Sequence, residues 1–161
     1  MSVSLYGSGQ TVIQVQSTTV TTSFSASVGN NSFTNFTGLS VSITPQSTTS
    51  KILIIVNTVS GSSSTGTAAI QVLRGSTVVG NGTSGVSINA ISASWAPNSF
   101  SNYTQIPMVA QFLDSPATTS SLTYQLQVGG DTGGSYVFGR RGVDTNWGTS
   151  STITVMEISG S

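Results

Sequence analysis

Apolar and polar residues alternate along most of this chain, the period expected of strands with one face buried. Leu39, Val41 and Ile43 interleave with Ser40, Ser42 and Thr44, and Leu122, Tyr124, Leu126 and Val128 interleave with Thr123, Gln125 and Gln127. One stretch breaks the pattern. From Lys51 to Val59 the apolar residues run almost consecutively, with Ile52, Ile54 and Val56 directed to one face of an extended chain and Leu53, Ile55 and Val59 to the other. Both faces of such a strand need cover, so it is expected at the centre of a sheet. Burying those six side chains is worth roughly 10 to 15 kcal/mol, an upper bound because the unfolded chain is already partly compact.

The remaining elements follow in order. Residues 1–10 read as an amino-terminal arm that frays unless a neighbour holds it. Strands are expected over 11–16 and 18–27, around Phe33 and Phe36, and again over 39–43 up to Pro45. Residues 60–66 form a long loop, and Gly75-Ser76 joins 68–74 to 77–79 as a hairpin. Val86, Ile88, Ala90 and Trp95 suggest a further strand, 106–113 and 122–128 two more, and 136–138 and 152–158 the last. The glycine-rich run 129–134 and residues 139–148 read as loops. No stretch has helical spacing. About eight to ten short strands indicate an all-β fold, an antiparallel β-sandwich of jelly-roll type, with an immunoglobulin-like sandwich as the alternative. Residues 11–161 form a single β-sandwich domain after the 1–10 arm, a size at which about 68% of the unfolded surface is buried.

Charge changes the picture most. Four Lys and Arg balance four Asp and Glu, while 31 Ser and 24 Thr supply a neutral, hydrogen-bonding surface. With so few cations the chain has no electrostatic footprint for nucleic acid. A surface with so little charge is poorly protected against self-association, which suggests that the protein works inside an assembly. Contacts made of hydroxyls, amides and apolar groups also survive high salt. The start of the chain lacks the basic and apolar regions of a secretory signal, and no apolar run reaches membrane-spanning length, so no membrane insertion is expected.

Candidate chemistry is sparse. Without His or Cys there is no Ser-His-Asp triad, Cys-His pair or usual zinc site, and no cofactor is implied, so no enzyme is expected. Asp131 and Asp144 are weak calcium candidates, since calcium takes six to eight oxygen ligands. Asp114 precedes Ser115-Pro116 and suits a turn. Trp95, Tyr103, Tyr136, Arg140, Arg141 and Trp147 are candidates for contact with a glycan, the aromatics by stacking. The alternative places the aromatics in the core or an interface and pairs the arginines with Asp131 or Asp144 across a subunit boundary.

Four blocks also carry a resemblance: residues 38–45, 50–54, 112–119 with Thr123-Tyr124, and 151–158. In this order they resemble a family of small virion surface proteins, head decorations or fibre and tip domains, of tailed phages of marine and cyanobacterial hosts, over residues 10–159. The resemblance implies a homotrimeric β-sandwich without enzymatic activity, made in the host cytoplasm and carried on the virion surface. Its partners would be itself, a major capsid or other virion protein, and a host surface glycan. A chain that starts at Met1 without a fibre shaft favours a head decoration or cement protein that trimerises on the capsid, the alternative being a tail-fibre or head-fibre tip domain that binds host glycans. Ile52, Leu53, Ile54, Ile55 and Val56 are the expected oligomer interface, one face of the strand being core and the other subunit contact. Leu5, Tyr6, Gln10 and Val12 are the expected capsid-contact arm.

Overall fold

A computed structural model describes residues 10–61, 66–82, 89–96 and 103–160, with residues 95 and 96 described by their backbone alone. The strands are β1 (Val12–Val20), β2 (Phe24–Val28), β3 (Ser32–Ile43), β4 (Lys51–Gly61), β5 (Gly66–Arg74), β6 (Thr77–Val79), β7 (Ser92–Ala96), β8 (Gln105–Asp114), β9 (Leu122–Gly130), β10 (Gly134–Phe138) and β11 (Ser151–Ile158). They form two antiparallel sheets. Sheet A runs β1-β11-β4-β10-β2 with β8 on the free side of β4, and sheet B runs β3-β9-β5-β6 with β7 also on β5. Setting aside the short additions β2, β6 and β10 leaves β1-β11-β4-β8 facing β3-β9-β5-β7, the strand order of a jelly roll.

The consecutive apolar stretch is the central strand of sheet A. β4 pairs with β11 along one edge and with β8 along the other. Its inward residues Ile52, Ile54 and Val56 are fully buried with Ile153 and Val155 of β11 and Met108 and Ala110 of β8. Sheet B meets them with Val41 and Ile43, with Ile70 and Val72, and with Tyr124, Leu126 and Val128. The two cleanest alternating stretches of the sequence therefore lie side by side, β3 against β9. Between Asn35 and Ser40 the register slips, and both Phe36 and Leu39 turn into the core. The Gln125 amide donates to the Phe36 and Leu39 carbonyls at 2.9 and 3.1 Å, supplying partners the ladder no longer provides there. Phe36 stacks on Phe24 at 4.6 Å, fastening β2 to the core.

Three carboxylates act as fasteners. Asp114 accepts both contacts of Arg74 Nη1 at 2.7 Å, the Tyr124 hydroxyl at 2.7 Å and the Ser115 amide at 2.9 Å. Its turn role holds, and it also ties β8 of sheet A to β5 and β9 of sheet B. Burial and then the bond to Asp114 hold the Tyr124 hydroxyl protonated, far above its usual range. Glu157 is fully buried and accepts from Gln14 Nε2 at 2.6 Å and the Gln46 amide at 2.7 Å, joining β11 to β1 and to the β3–β4 loop. Burial pushes its carboxyl up, but the hydrogen bonds it accepts, that from Gln14 foremost, outweigh this and leave it below the ordinary range. Asp131 takes the Thr67 amide at 2.7 Å and the Thr67 hydroxyl at 2.9 Å, closing the start of β5 on the end of β9.

The glycine-rich run departs from its expected loop. Gly129 and Gly130 continue β9 and are buried. A Cβ on Gly130 would lie 2.1 Å from the Tyr136 ring, so this glycine serves close packing and not a turn. Gly75, by contrast, has φ +62° in the expected hairpin. The strand expected around Val86 and Ile88 falls outside the described residues, and β7 is confined to Ser92–Ala96.

Candidate functional site

The outer face of sheet A is the first candidate, and it is built by register. Val15 pairs with Met156, Met156 with Leu53, and Leu53 with Leu113, so one apolar row crosses four strands on the face away from the core. Val15 and Leu113 are 49% and 57% exposed. Val12, opposite Ile158, extends the patch at one end, and Ile55 and the exposed Val109 continue it at the other. Beside the apolar row runs a neutral one of Ser17, Thr154, Ile55 and Gln111, in which the Ser17 and Thr154 hydroxyls are 2.8 Å apart. Lys51, whose Nζ donates to Ser115 Oγ at 2.8 Å, is the one charged side chain of this face among the described residues.

The outer face of sheet B is of a different kind. Asn81 donates to Gln71, Gln71 to Gln127 and Gln127 to Asn35, a directional chain of side-chain amides at 3.1, 2.7 and 2.8 Å. Most of the donors and acceptors of these amides are thus used among themselves. Only sheet A presents a contiguous apolar surface among the described residues.

The expected interface residues therefore divide. Leu53 and Ile55 face outward and are available to a partner, whereas Ile52, Ile54 and Val56 are consumed by the core and cannot make a subunit contact. Of the expected arm, Gln10 and Val12 are exposed, and Leu5 and Tyr6 lie outside the described residues. Val15, Leu113 and Met156 belong to the face although nothing in their local sequence marked them. Alternation shows that a residue is out of phase with its own strand's core, but only register aligns three such strands.

The second candidate is an open cleft of about 230 Å³ lined by Tyr103, Gln105, Arg141 and Trp147. The guanidinium of Arg141 lies over the Tyr103 ring, 4.9 Å from its centre. Arg141 Nε and Nη2 grip Asp144 in a bidentate pair, each bond 2.6 Å. The bond to Asp144 raises Arg141 above its ordinary range, and the bond from Arg141 holds Asp144 below its own. Arg140 stands behind them, its Nη1 donating to the carbonyls of Arg141 and Asp144 at 2.8 Å. Trp147 is 74% exposed and has φ +59°, a conformation that costs an ordinary residue roughly 1 to 2 kcal/mol. Gln105 Nε2 donates to the Trp147 carbonyl at 2.7 Å, and the Thr149 amide closes the loop on the Gly139 carbonyl at 2.8 Å.

Three of the six glycan candidates, Tyr103, Arg141 and Trp147, thus come together. Tyr136 does not join them: it is 5% exposed, packed in the core with its hydroxyl on the Thr132 carbonyl at 2.7 Å. Arg140 is committed to its own loop, and the Trp95 side chain lies outside the described residues. Arg141 pairs with Asp144 within one chain, not across a subunit boundary. Asp131 and Asp144 have both carboxylate oxygens engaged, one by Thr67 and the other by Arg141, and neither shares a cluster of three or more acids among the described residues. Gln105 lies one residue before the strand expected over 106–113 and carried no signal of its own; its place in the cleft depends on where β8 meets the 139–149 loop.

No family model and no curated protein matches the chain. Among solved structures it is similar to the infectious bursal disease virus VP2 subviral particle, at 13% identity and a TM-score of 0.44 over 98% of this chain and 43% of that one. It is also similar to the structure of the infectious bursal disease virus Gx strain, at 16% identity and a TM-score of 0.38 over 98% and 44%. The chain spans less than half the length of either, and at these scores the likeness carries no functional weight.

Proposed function

We propose that this is a non-enzymatic structural protein of a virion, most simply a head decoration or cement protein that self-associates, as a trimer, through the outer face of sheet A. The observation that supports the self-association is the apolar row Val15–Met156–Leu53–Leu113, exposed at both ends and half-buried between, on a jelly roll whose other outer face carries a chain of amides. Burying the exposed half of one such side chain is worth about 1 kcal/mol, and the row recurs in every subunit. The virion setting comes from the sequence resemblance over residues 10–159. A cement protein acts by mass action, stabilising the assembled shell because it binds that shell and not its separate subunits.

Two measurements test this. Light scattering should give a mass above one subunit for the purified chain, and a particle reconstruction should place many copies on the shell. A monomer at all concentrations overturns the self-association, and a handful of copies at a tail overturns the decoration role. That second outcome is what the alternative predicts, a fibre tip that attaches to host surface glycans, and the exposed Trp147 beside Tyr103 favours it.

A further inference from the structure

We infer that the cleft between β8 and the 139–149 loop is a binding site for a neutral sugar ring, with Trp147 as its stacking platform. The inference does not depend on where in a particle the chain sits, since a decoration protein and a fibre tip can both carry such a cleft.

Three features of the loop support it. Trp147 is the most exposed large apolar side chain among the described residues, at 74%, with Tyr103 next at 61%. The greater part of the Trp147 side chain is therefore open to solvent. A tryptophan so placed also occupies a left-handed backbone conformation, and strain of this kind persists only where the surroundings over-determine it. Here they do. Gln105 holds the Trp147 carbonyl, Asp144 accepts from the Asn146 amide at 2.9 Å, Arg140 gathers two loop carbonyls, and Gly139 donates to Val59 of β4 at 2.8 Å. The indole is therefore presented by a loop already fixed to the sandwich, and a ligand need not order it on binding.

The chemistry of the lining narrows the ligand class. An exposed indole is a flat apolar platform on which the C–H-bearing side of a pyranose chair can stack, and Gln105 adds an amide whose Oε1 can accept a hydroxyl proton while Nε2 stays on the loop. Arg141 is the cation lining the cleft, but its charge is matched by Asp144 through two bonds of 2.6 Å, so the pair has no net charge to offer an anion. It stiffens Tyr103 instead. Planar groups, neutral hydrogen bonding and a volume of about 230 Å³ suit a single neutral pyranose, the terminal or exposed unit of a polysaccharide, better than a uronic or sialic acid.

The test uses the full chain, titrated with short neutral oligosaccharides of glucose, galactose and mannose and, in parallel, with oligomers of uronic acids. Binding is read by ligand-observed saturation-transfer NMR and calorimetry. A neutral oligomer should bind with a Kd on the order of 1 mM, the range of one stacked ring. Trp147→Ala should weaken that binding at least tenfold with the melting temperature held, and Gln105→Ala should weaken it severalfold. Trp147→Tyr, which keeps a ring, should retain part of it. The inference is overturned if no neutral oligomer binds at about ten times that concentration. It is equally overturned if binding is indifferent to Trp147→Ala, or if acidic oligomers bind more tightly with a steep salt dependence. Loss of sugar binding would leave the subunit mass in light scattering unchanged, so this inference and the self-association fail separately.

Discussion

Ile54 and Ile55 are neighbours in β4 whose replacement by aspartate should have opposite consequences. Ile54 is fully buried between Val155 of β11 and Phe112 of β8. Ile54→Asp removes roughly 2 to 3 kcal/mol of apolar burial and places a polar group without a partner in the core, which costs several kcal/mol more. The sum, on the order of 5 to 8 kcal/mol, approaches the whole stability of a domain, and the protomer should unfold. Ile55 lies between Thr154 and Gln111 on the outer face and is only half-buried. An aspartate there stays hydrated in the free protomer and should cost about 1 kcal/mol or less. In the assembly the same carboxylate would be pressed against apolar surface, at a cost of about 3 kcal/mol, or more than a hundredfold in association. Urea titration gives the protomer stability and light scattering over a range of concentrations gives the mass; the titration must be run at fixed concentration because association adds to apparent stability. The reasoning fails if both variants unfold alike, which would make the outer face ordinary core, or if Ile55→Asp leaves the mass of an oligomer unchanged.

Three further outcomes follow from the fasteners and the close packing. Glu157 has a folded carboxyl held below its unfolded value, so its contribution is complete above the ordinary glutamate range and is lost as pH falls through the lower folded value; Glu157→Gln should flatten the stability profile in that acid window and lower stability near neutrality. Tyr124→Phe should cost about 1 to 1.5 kcal/mol in urea titration by deleting one bond of the inter-sheet cluster, whereas Arg74→Ala should cost more because Asp114 keeps its charge and loses its counter-ion. Gly130→Ala should cost about 2 to 3 kcal/mol, since its Cβ meets the Tyr136 ring at 2.1 Å; an unchanged melting temperature would show that the two strands yield there.

Several parts of the structure were written into local sequence. Two-residue alternation placed β3 and β9, the apolar run placed β4, and Gly75 placed the β5–β6 hairpin, because each depends on side-chain direction or backbone conformation within a few residues. The neutral composition already favoured a protein that works among neighbours. Tertiary structure decided the rest. Gly129 and Gly130 read as loop because glycine usually marks a turn, and only the approach of Ser32 and Tyr136 shows why a strand needs them there. Tyr136 and Tyr103 are equivalent on paper, yet one is sealed in the core and the other lines the cleft.

The two candidate surfaces show the same division. The sequence by itself determined that Leu53 and Ile55 point to the side of the strand opposite Ile52, Ile54 and Val56, since alternation divides five consecutive apolar residues between two faces. It did not determine that Val15, Met156 and Leu113 would stand in line with Leu53, or that Arg141 would turn to Asp144 and Tyr103. Those alignments depend on strand register and on loops brought together from distant parts of the chain. A shift of one residue in β8 would carry Leu113 to the core and Phe112 to the surface. Side-chain direction is a local property of the backbone, but partnership across a sheet is a property of the folded whole.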